Sequence, residues 1–436
     1  MRVHVGMAVR GAPVWRVVVI TILLGGSLAG APAAAKQRPA ASGRAKAQPL
    51  SIVAVQPGVD PAQAARDLGV APAFIFRHVL NGFAAALPAS AARVARSRQI
   101  RSVGPDPEVH ASGQRISTGI RRIAADKSPL AQIDGHEGPA IDVDVAVLDT
   151  GVSGRADLNV VGGTNVFTAS DDGKDCGASS DDTTDKNGHG TNVAGIIGAI
   201  DNDMGVVGVA PGARLWSVKV LDAKGTGTWS SVICGLDWVD AHRDTIDVVN
   251  LSFGGPLEGG DTDCETAAPT GLHAATCKLV NADDIAVVVA AGNQHKDATG
   301  YAPAAYDEVI TVAALADADG KPGGNGGKTC DGSRDDTLAR FSNFGPDIDI
   351  VAPGSCIVSL GIKKKGLSRY SGTSQATPHV AGAIALFLAS ANPTPGSRVA
   401  AARAWLATTA SQPMLAAKKG RDGPPLTAPA LYLGGT

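Results

Sequence analysis

Residues 143–152 read VDVAVLDTGV. Val143 to Leu148 has the length and β-branched content of a buried strand, halting at Asp149 before a turn with glycine. The same pattern recurs downstream. Ala213–Val220, Ile246–Phe253, Ile285–Ala291, Val309–Ala314 and Ile348–Val351 are further short apolar runs. Helical stretches lie between or after them, from Asn187 to about Ile200, Thr228 to Ala241 and Ser374 to about Ser390. Short apolar strands alternating with helices predict an α/β fold, with a mostly parallel central sheet covered by helices on both faces. No fixed-period repeat interrupts the pattern.

The chain has 436 residues, 44% of them hydrophobic, and a formal net charge of −2. That length allows one large domain and a smaller one. With so little net charge, nothing points to nucleic acid or to an electrostatic membrane partner. With 54 glycines and 26 prolines, tight turns are expected rather than a helical bundle. Six cysteines (Cys176, Cys234, Cys264, Cys277, Cys330, Cys356) include no Cys-x-x-Cys pair, which favours disulfides over metal ligation. Cys264 with Cys277 would close a short loop and Cys330 with Cys356 a longer one, leaving Cys176 for Cys234. Six cysteines allow about fifteen connectivities, so the pairing stays open.

Met1 to Ala35 has the layout of a secretory signal. Arg2, Arg10 and Arg16 precede an uncharged run from Val17 to about Leu28, and Ala33-Ala34-Ala35 offers a cleavage site. Glycines and Pro32 make the run a poor membrane span, so no permanent anchor is expected. Residues 36–48 read as a linker. Over 49–110, a strand (Leu50–Val55), a helix (Pro61–Leu68), extended segments around Asn81-Gly82, a helix (Ser90–Arg98) and a strand (Ile100–Val103) predict a small α+β module of ferredoxin-like type. The large domain is expected over 111–417. The polar, Pro/Gly-rich end, 418–436, reads as a tail.

Four motifs carry chemistry. VAVLDTGV places Asp149 at a strand end, and NGHGTNVAGI places His189 at a helix start. VVVAAGN ends in Asn293, and GTSQATPHVAG places Ser374 at the start of an apolar helix. Strand carboxyl ends and helix starts are where open α/β sheets hold their sites. A serine on a tight turn, with its own N–H among the unpaired donors of a helix start, suits an acyl-transfer nucleophile. Pro378 reads as a first-turn proline. Singly, each residue is equally a cap or a turn former; together, in the order Asp, His, Asn, Ser, coincidence is a poor account.

This pattern resembles the subtilisin-like serine proteases, the subtilase family, over about residues 50–410. The triad order and the oxyanion asparagine are those of subtilisin, long used to illustrate both. The resemblance implies that Ser374 attacks the peptide carbonyl, His189 relays the proton and Asp149 holds the imidazole. Asn293 and the Ser374 N–H would stabilise the oxyanion. It also identifies SIVAVQPGVDP…RHVLNGFAAALPAS as similar to an inhibitory propeptide, an intramolecular inhibitor removed after His110 or nearby. Two positions depart from the family: Gln375 stands where methionine is common, and Asn192 where histidine is usual. With no thioether beside the nucleophile, tolerance of peroxide is expected. His379 reads as a packed helix residue.

The resemblance further implies a substrate groove in which peptides add as strands along Ser252-Phe253-Gly254-Gly255 and Gly225-Thr226-Gly227. Leu221, Trp229 and Phe253 would wall an apolar pocket, and Tyr301 would floor another. Broad, apolar-leaning specificity for protein or peptide substrates follows. A structural Ca2+ is implied at Gln114, Asp157, Ile200, Asn202, Met204 and Val206, whose oxygens suit a hard cation. A weaker site is implied near Ala304, Tyr306, Val309 and Asp349. The acidic loop Asp171-Asp172, Asp175 and Asp181-Asp182 reads as solvated surface. The expected protein is a secreted, monomeric, self-processing endopeptidase. A catalytically silent peptide binder and an inhibitor module on an unrelated carrier are the competing readings, and the intact four-residue set weighs against both.

Overall fold

The computed structural model describes residues 50–87, 97–106, 113–153, 156–168, 176, 182–257, 262–264, 271–363, 366–414 and 427–436. The expected leader, linker, most of the Ser90–Arg98 helix, the cut near His110 and most of the acidic loop lie outside them. The chain divides into two units, residues 1–109 and 110–436.

In the first unit, strands β1 (Leu50–Val55), β2 (Pro72–Phe76), β3 (Gly82–Ala86) and β4 (Ile100–Pro105) form an antiparallel sheet in the order β2-β3-β1-β4. Val53 sits opposite both Phe83 and Val103, so the apolar face is built around β1. Helix α1 (Pro61–Asp67) starts as its sequence dictates: Asp60 accepts from the Gln63 N–H at 2.8 Å, and Pro61 fills a position whose N–H has no helical partner. Val53, Val55, Ala64, Ala65, Phe83, Ala85 and Ile100 close a small core.

The second unit is built on a sheet whose parallel strands are β5 (Asp144–Asp149), β6 (Val160–Asn165), β7 (Arg214–Lys219), β8 (Val248–Leu251), β9 (Ala286–Ala290), β10 (Ile310–Ala316) and β11 (Ile350–Pro353). Residues of β5, β8, β9, β10 and β11 are buried without alternation, as a parallel sheet covered on both faces requires. Each such Val, Ile or Leu contributes about 1.5–3 kcal/mol of burial. An antiparallel hairpin, β12 (Ile357–Leu360) with β13 (Leu367–Tyr370), follows outside the sheet. Helices α2 (His189–Gly198) and α3 (Trp229–Ala241) fall where the sequence predicts them, and α4 (Thr373–Ala391) packs on α2 and crosses β8 to β11.

Three features differ from expectation. Strand β6 went unread because Gly162-Gly163 interrupt its apolar pattern. The expected tail is corrected over its last residues. Helix α5 (Arg398–Thr408) leads to β14 (Ser411–Gln412), and β15 (Ala430–Leu431) pairs parallel with β11 and antiparallel with β14. Leu431 and Leu433 are buried. Third, α4 begins at Thr373, which puts Pro378 in the second turn rather than the first. Proline there cannot donate to the Ser374 carbonyl. The Ser252 hydroxyl donates to that carbonyl instead, at 2.9 Å.

The cysteines pair as Cys176–Cys234, Cys264–Cys277 and Cys330–Cys356. No described helix is long and apolar enough to cross a membrane.

Candidate active site

The carboxyl end of β5 delivers Asp149 into the interior, where it is fully buried. Asp149 Oδ1 and Oδ2 lie 2.8 and 2.9 Å from His189 Nδ1. That contact engages Nδ1 and leaves Nε2 for proton exchange. Burial disfavours the imidazolium, but the charge and hydrogen bond of Asp149, aided by Asp185, outweigh it and hold His189 above the ordinary imidazole value.

Asp185 went unsingled in the sequence. It is buried and accepts from the N–H groups of Asn187, Gly188 and Thr191 and from the hydroxyls of Thr150 and Thr191, at 2.7–3.0 Å. This one carboxylate ties the start of α2 to the end of β5. An aspartate just ahead of the Gly-His helix start was the available signal. Lys219, also buried, donates its ammonium to the Thr150 carbonyl.

Ser374 lies one residue inside α4. Gly372, extended, donates to the Gly354 carbonyl at 2.8 Å and sets the turn. Asn293 is held from two sides. Its Oδ1 accepts from the Thr373 N–H at 2.8 Å and the Thr373 hydroxyl at 3.0 Å, so Nδ2 is the amide atom left as a donor. Its loop is fixed by Asn343, which accepts from the Gln294 and Lys296 N–H groups and donates to the Ala291 carbonyl. Gly292, at φ +104°, passes so close that a Cβ would lie 2.5 Å from Asn343 Nδ2.

His189, Asn293 and Ser374 line one cleft of about 350 Å³ with Leu221, Gly225, Ser252, Phe253, Gly254 and Tyr301. Gly227 and Trp229 are not among its lining residues; the Trp229 indole packs beside Gly255. Such a cleft joins a hydroxyl, an imidazole with a buried carboxylate behind it, and an oriented amide donor. It has the parts for nucleophilic attack on a carbonyl.

The two family departures meet. Gln375 and Asn192, both buried, bring Gln375 Nε2 to 3.4 Å from Asn192 Oδ1, while Asn192 donates to the Leu360 carbonyl at 3.2 Å. A polar pair thus spans α2 and α4. His379 is buried as expected, with Nδ1 at 2.8 Å from the Gln375 carbonyl, and burial pushes it down to about 4.

The expected calcium residues gather around the loop after α2. Arg115 donates to the Gly205 carbonyl at 3.0 Å, and Gln114 Nε2 lies 2.6 and 3.0 Å from the carbonyls of Ile200 and Val206. Asp157 Oδ2 accepts from the Val206 N–H, while Oδ1 is buried with no hydrogen-bond partner. Gly205, at φ +50°, leaves room that a Cβ would fill, 2.2 Å from Asp157 Oδ2. The Asn202 side chain accepts from the Met204 N–H at 3.1 Å. A buried carboxylate oxygen with no partner, on a side chain whose other oxygen bonds the Val206 N–H, fits a hard cation.

The weaker site is corrected. Arg403 Nη1 lies 3.0 Å from Asp349 Oδ1, Nη2 lies 3.0 Å from the Asp307 carbonyl, and Nη2 also bonds the Val309 carbonyl. The Ala304 carbonyl accepts from the Thr311 hydroxyl at 2.8 Å. A guanidinium from α5 therefore takes the place expected for an ion.

The model of the subtilase family matches residues 141–426. Subtilisin DY of Bacillus licheniformis is 36% identical over 280 residues, covering 63% of this chain and 85% of that protein. Subtilisin NAT of Bacillus subtilis subsp. natto is 36% identical over 325 residues, 73% of each chain. An alkaline protease of Shouchella clausii is 36% identical over 287 residues, covering 66% of this chain and 63% of that protein.

Proposed function

The chain belongs to the subtilase family and is a serine endopeptidase, and from that premise we propose that it is a secreted zymogen working through Ser374, His189 and Asp149. Ser374 Oγ attacks the scissile carbonyl, and His189 Nε2 takes its proton and passes it to the leaving amine. Asp149 fixes the tautomer and stabilises the imidazolium without itself being protonated. Asn293 Nδ2 and the Ser374 N–H stabilise the oxyanion; removing such an amide costs on the order of 10²–10³ in turnover. Water then releases the acyl group, with His189 acting in the same two directions.

The observation that carries this reading is the 2.8 Å contact of Asp149 with His189 Nδ1, behind a cleft that His189, Ser374 and Asn293 share. The substrate's residues upstream of the cut run as an added strand between Ser252–Gly254 and Gly225–Gly227, so main-chain bonding tolerates many sequences. Leu221, Phe253 and Tyr301 favour apolar side chains, and Trp229 backs the wall. Residues 49–110 act as the inhibitory propeptide, removed near His110, after a leader over 1–35 has directed export. A Ca2+ held by Gln114, Asp157, Asn202 and the carbonyls of Ile200, Met204 and Val206 would cross-link the mature N-terminal segment to the loop after α2.

Mass spectrometry of the native chain and of Ser374→Ala tests this. Cleavage near residue 110 in the native chain and an intact Ser374→Ala precursor are expected. Full-length protein in both, in calcium and with no peptide cleaved, would overturn the self-processing mechanism.

A further inference from the structure

Among the residues lining the cleft, one side chain carries a lasting charge. It is Lys224; the others are apolar, hydroxyl or amide groups, with His189 and Tyr301 the only further titratable ones. Lys224 is exposed and makes no ion pair among the described residues.

Its position is built. Asp222 donates its N–H to the Thr226 carbonyl at 2.9 Å, and Gly225 returns one to the Asp222 carbonyl at 3.0 Å. The Asp222 carboxylate is turned inward, accepting the N–H groups of Lys224 at 2.8 Å and Thr226 at 3.0 Å. Those bonds, Thr226 first, hold that carboxyl below its usual range. Both bonds fall on Oδ1, so Asp222 keeps its charge near Lys224 and attracts it through space without forming an ion pair with it. Asn187 Nδ2 donates to the Ala223 carbonyl at 3.1 Å, pinning the turn to the segment that enters α2 at His189. The pinned turn fixes the Lys224 backbone beside the cleft, and the flexible side chain lets its ammonium reach the peptide from there.

We propose that Lys224 makes the cleft select peptides with an acidic side chain among the few residues on the N-terminal side of the cut. This rests on the endopeptidase reading and on the strand-addition mode, in which the peptide passes beside Gly225–Gly227. A Glu or Asp whose side chain points toward the turn meets an unpaired ammonium, and a Lys or Arg there meets a like charge. Both charges stay partly solvated, so the discrimination is modest, about fivefold in kcat/KM between Glu and Lys. It is also sensitive to salt.

The test uses internally quenched peptides of one sequence, with Glu, Gln or Lys placed in turn at each position upstream of the cut. The active protein, Lys224→Ala and Lys224→Glu are compared. At one position the order Glu, Gln, Lys is expected in the native protein, shrinking severalfold as ionic strength rises from about 0.02 to 0.5 M. The ratio of Glu to Lys should fall toward one in Lys224→Ala and invert in Lys224→Glu. Equal rates for Glu, Gln and Lys in the native protein, or an unchanged ratio in Lys224→Ala, would overturn the proposal. Cleavage of the Gln peptides in either case leaves the protease reading standing. Failure to cleave any peptide would sink both.

Discussion

Two oxygen-lined cradles in the second unit face the same electrostatic demand and meet it differently. Around the loop after α2, Asp157 Oδ1 is buried with no partner, and the carbonyls of Ile200 and Val206 face only a neutral amide. Beside β10 and β11, Asp349 and the carbonyls of Asp307 and Val309 close on the Arg403 guanidinium. A tethered cation cannot be chelated or diluted away, so the second cradle does not depend on calcium, although salt screens its partly exposed pair. A cradle left for a free ion contributes according to concentration. The comparison teaches that matching ligand positions do not by themselves imply a metal. What decides is whether a cation already lies within reach of the chain.

The largest effect expected from this contrast is calcium dependence confined to the first cradle. At a thousandfold excess over Kd a bound ion adds about 4 kcal/mol, so chelation should lower the melting temperature by roughly 10 °C. Asp157→Asn should melt near the chelated value even in calcium. Identical melting of the native protein with and without chelator would break the comparison at once.

A smaller effect is expected at the second cradle. Arg403→Ala takes the cation from Asp349, whose other oxygen keeps the Thr311 N–H at 2.8 Å; the two side chains are 31% and 36% exposed, which softens the loss. About 1–2 kcal/mol, or roughly 4 °C by calorimetry, should disappear, with part recovered in added salt. A variant that melts as the native protein does would mean the guanidinium does not meet the demand. Smallest is Thr311→Val, which removes the hydroxyl serving the Ala304 carbonyl. It should cost about 1 kcal/mol and roughly 2 °C, with no change in the response to calcium.

These outcomes turn on contacts that were unevenly legible in the sequence. Strands such as Val143–Leu148 could be placed within a residue or two, because an unbroken apolar run between turn formers has few alternatives. The residues that share the cleft could be named because each sits in a short local motif. Arg403 could not be assigned: it stands 54 positions from Asp349, on a helix where an arginine looks like ordinary solvated surface. Ser252 reads as a groove residue, and only its hydrogen bond shows that it also completes a helix that Pro378 interrupts. The same limit hid Asp185, whose five donors come from Thr150 and from the segment 187–191. It hid β15 as well, two residues whose place in the sheet depends on β11, far back in the chain.

Asn293 carries one further consequence. A carboxamide is a lever with opposite electrical ends, and its two settings occupy nearly the same volume. The Thr373 N–H and hydroxyl both pull on its oxygen and throw that lever one way. The residue before the nucleophile therefore fixes the polarity of the wall the reacting carbonyl meets. Without the Thr373 hydroxyl, the amide would be held by a single bond, and half a turn about its last torsion would present a negative end to a developing anion.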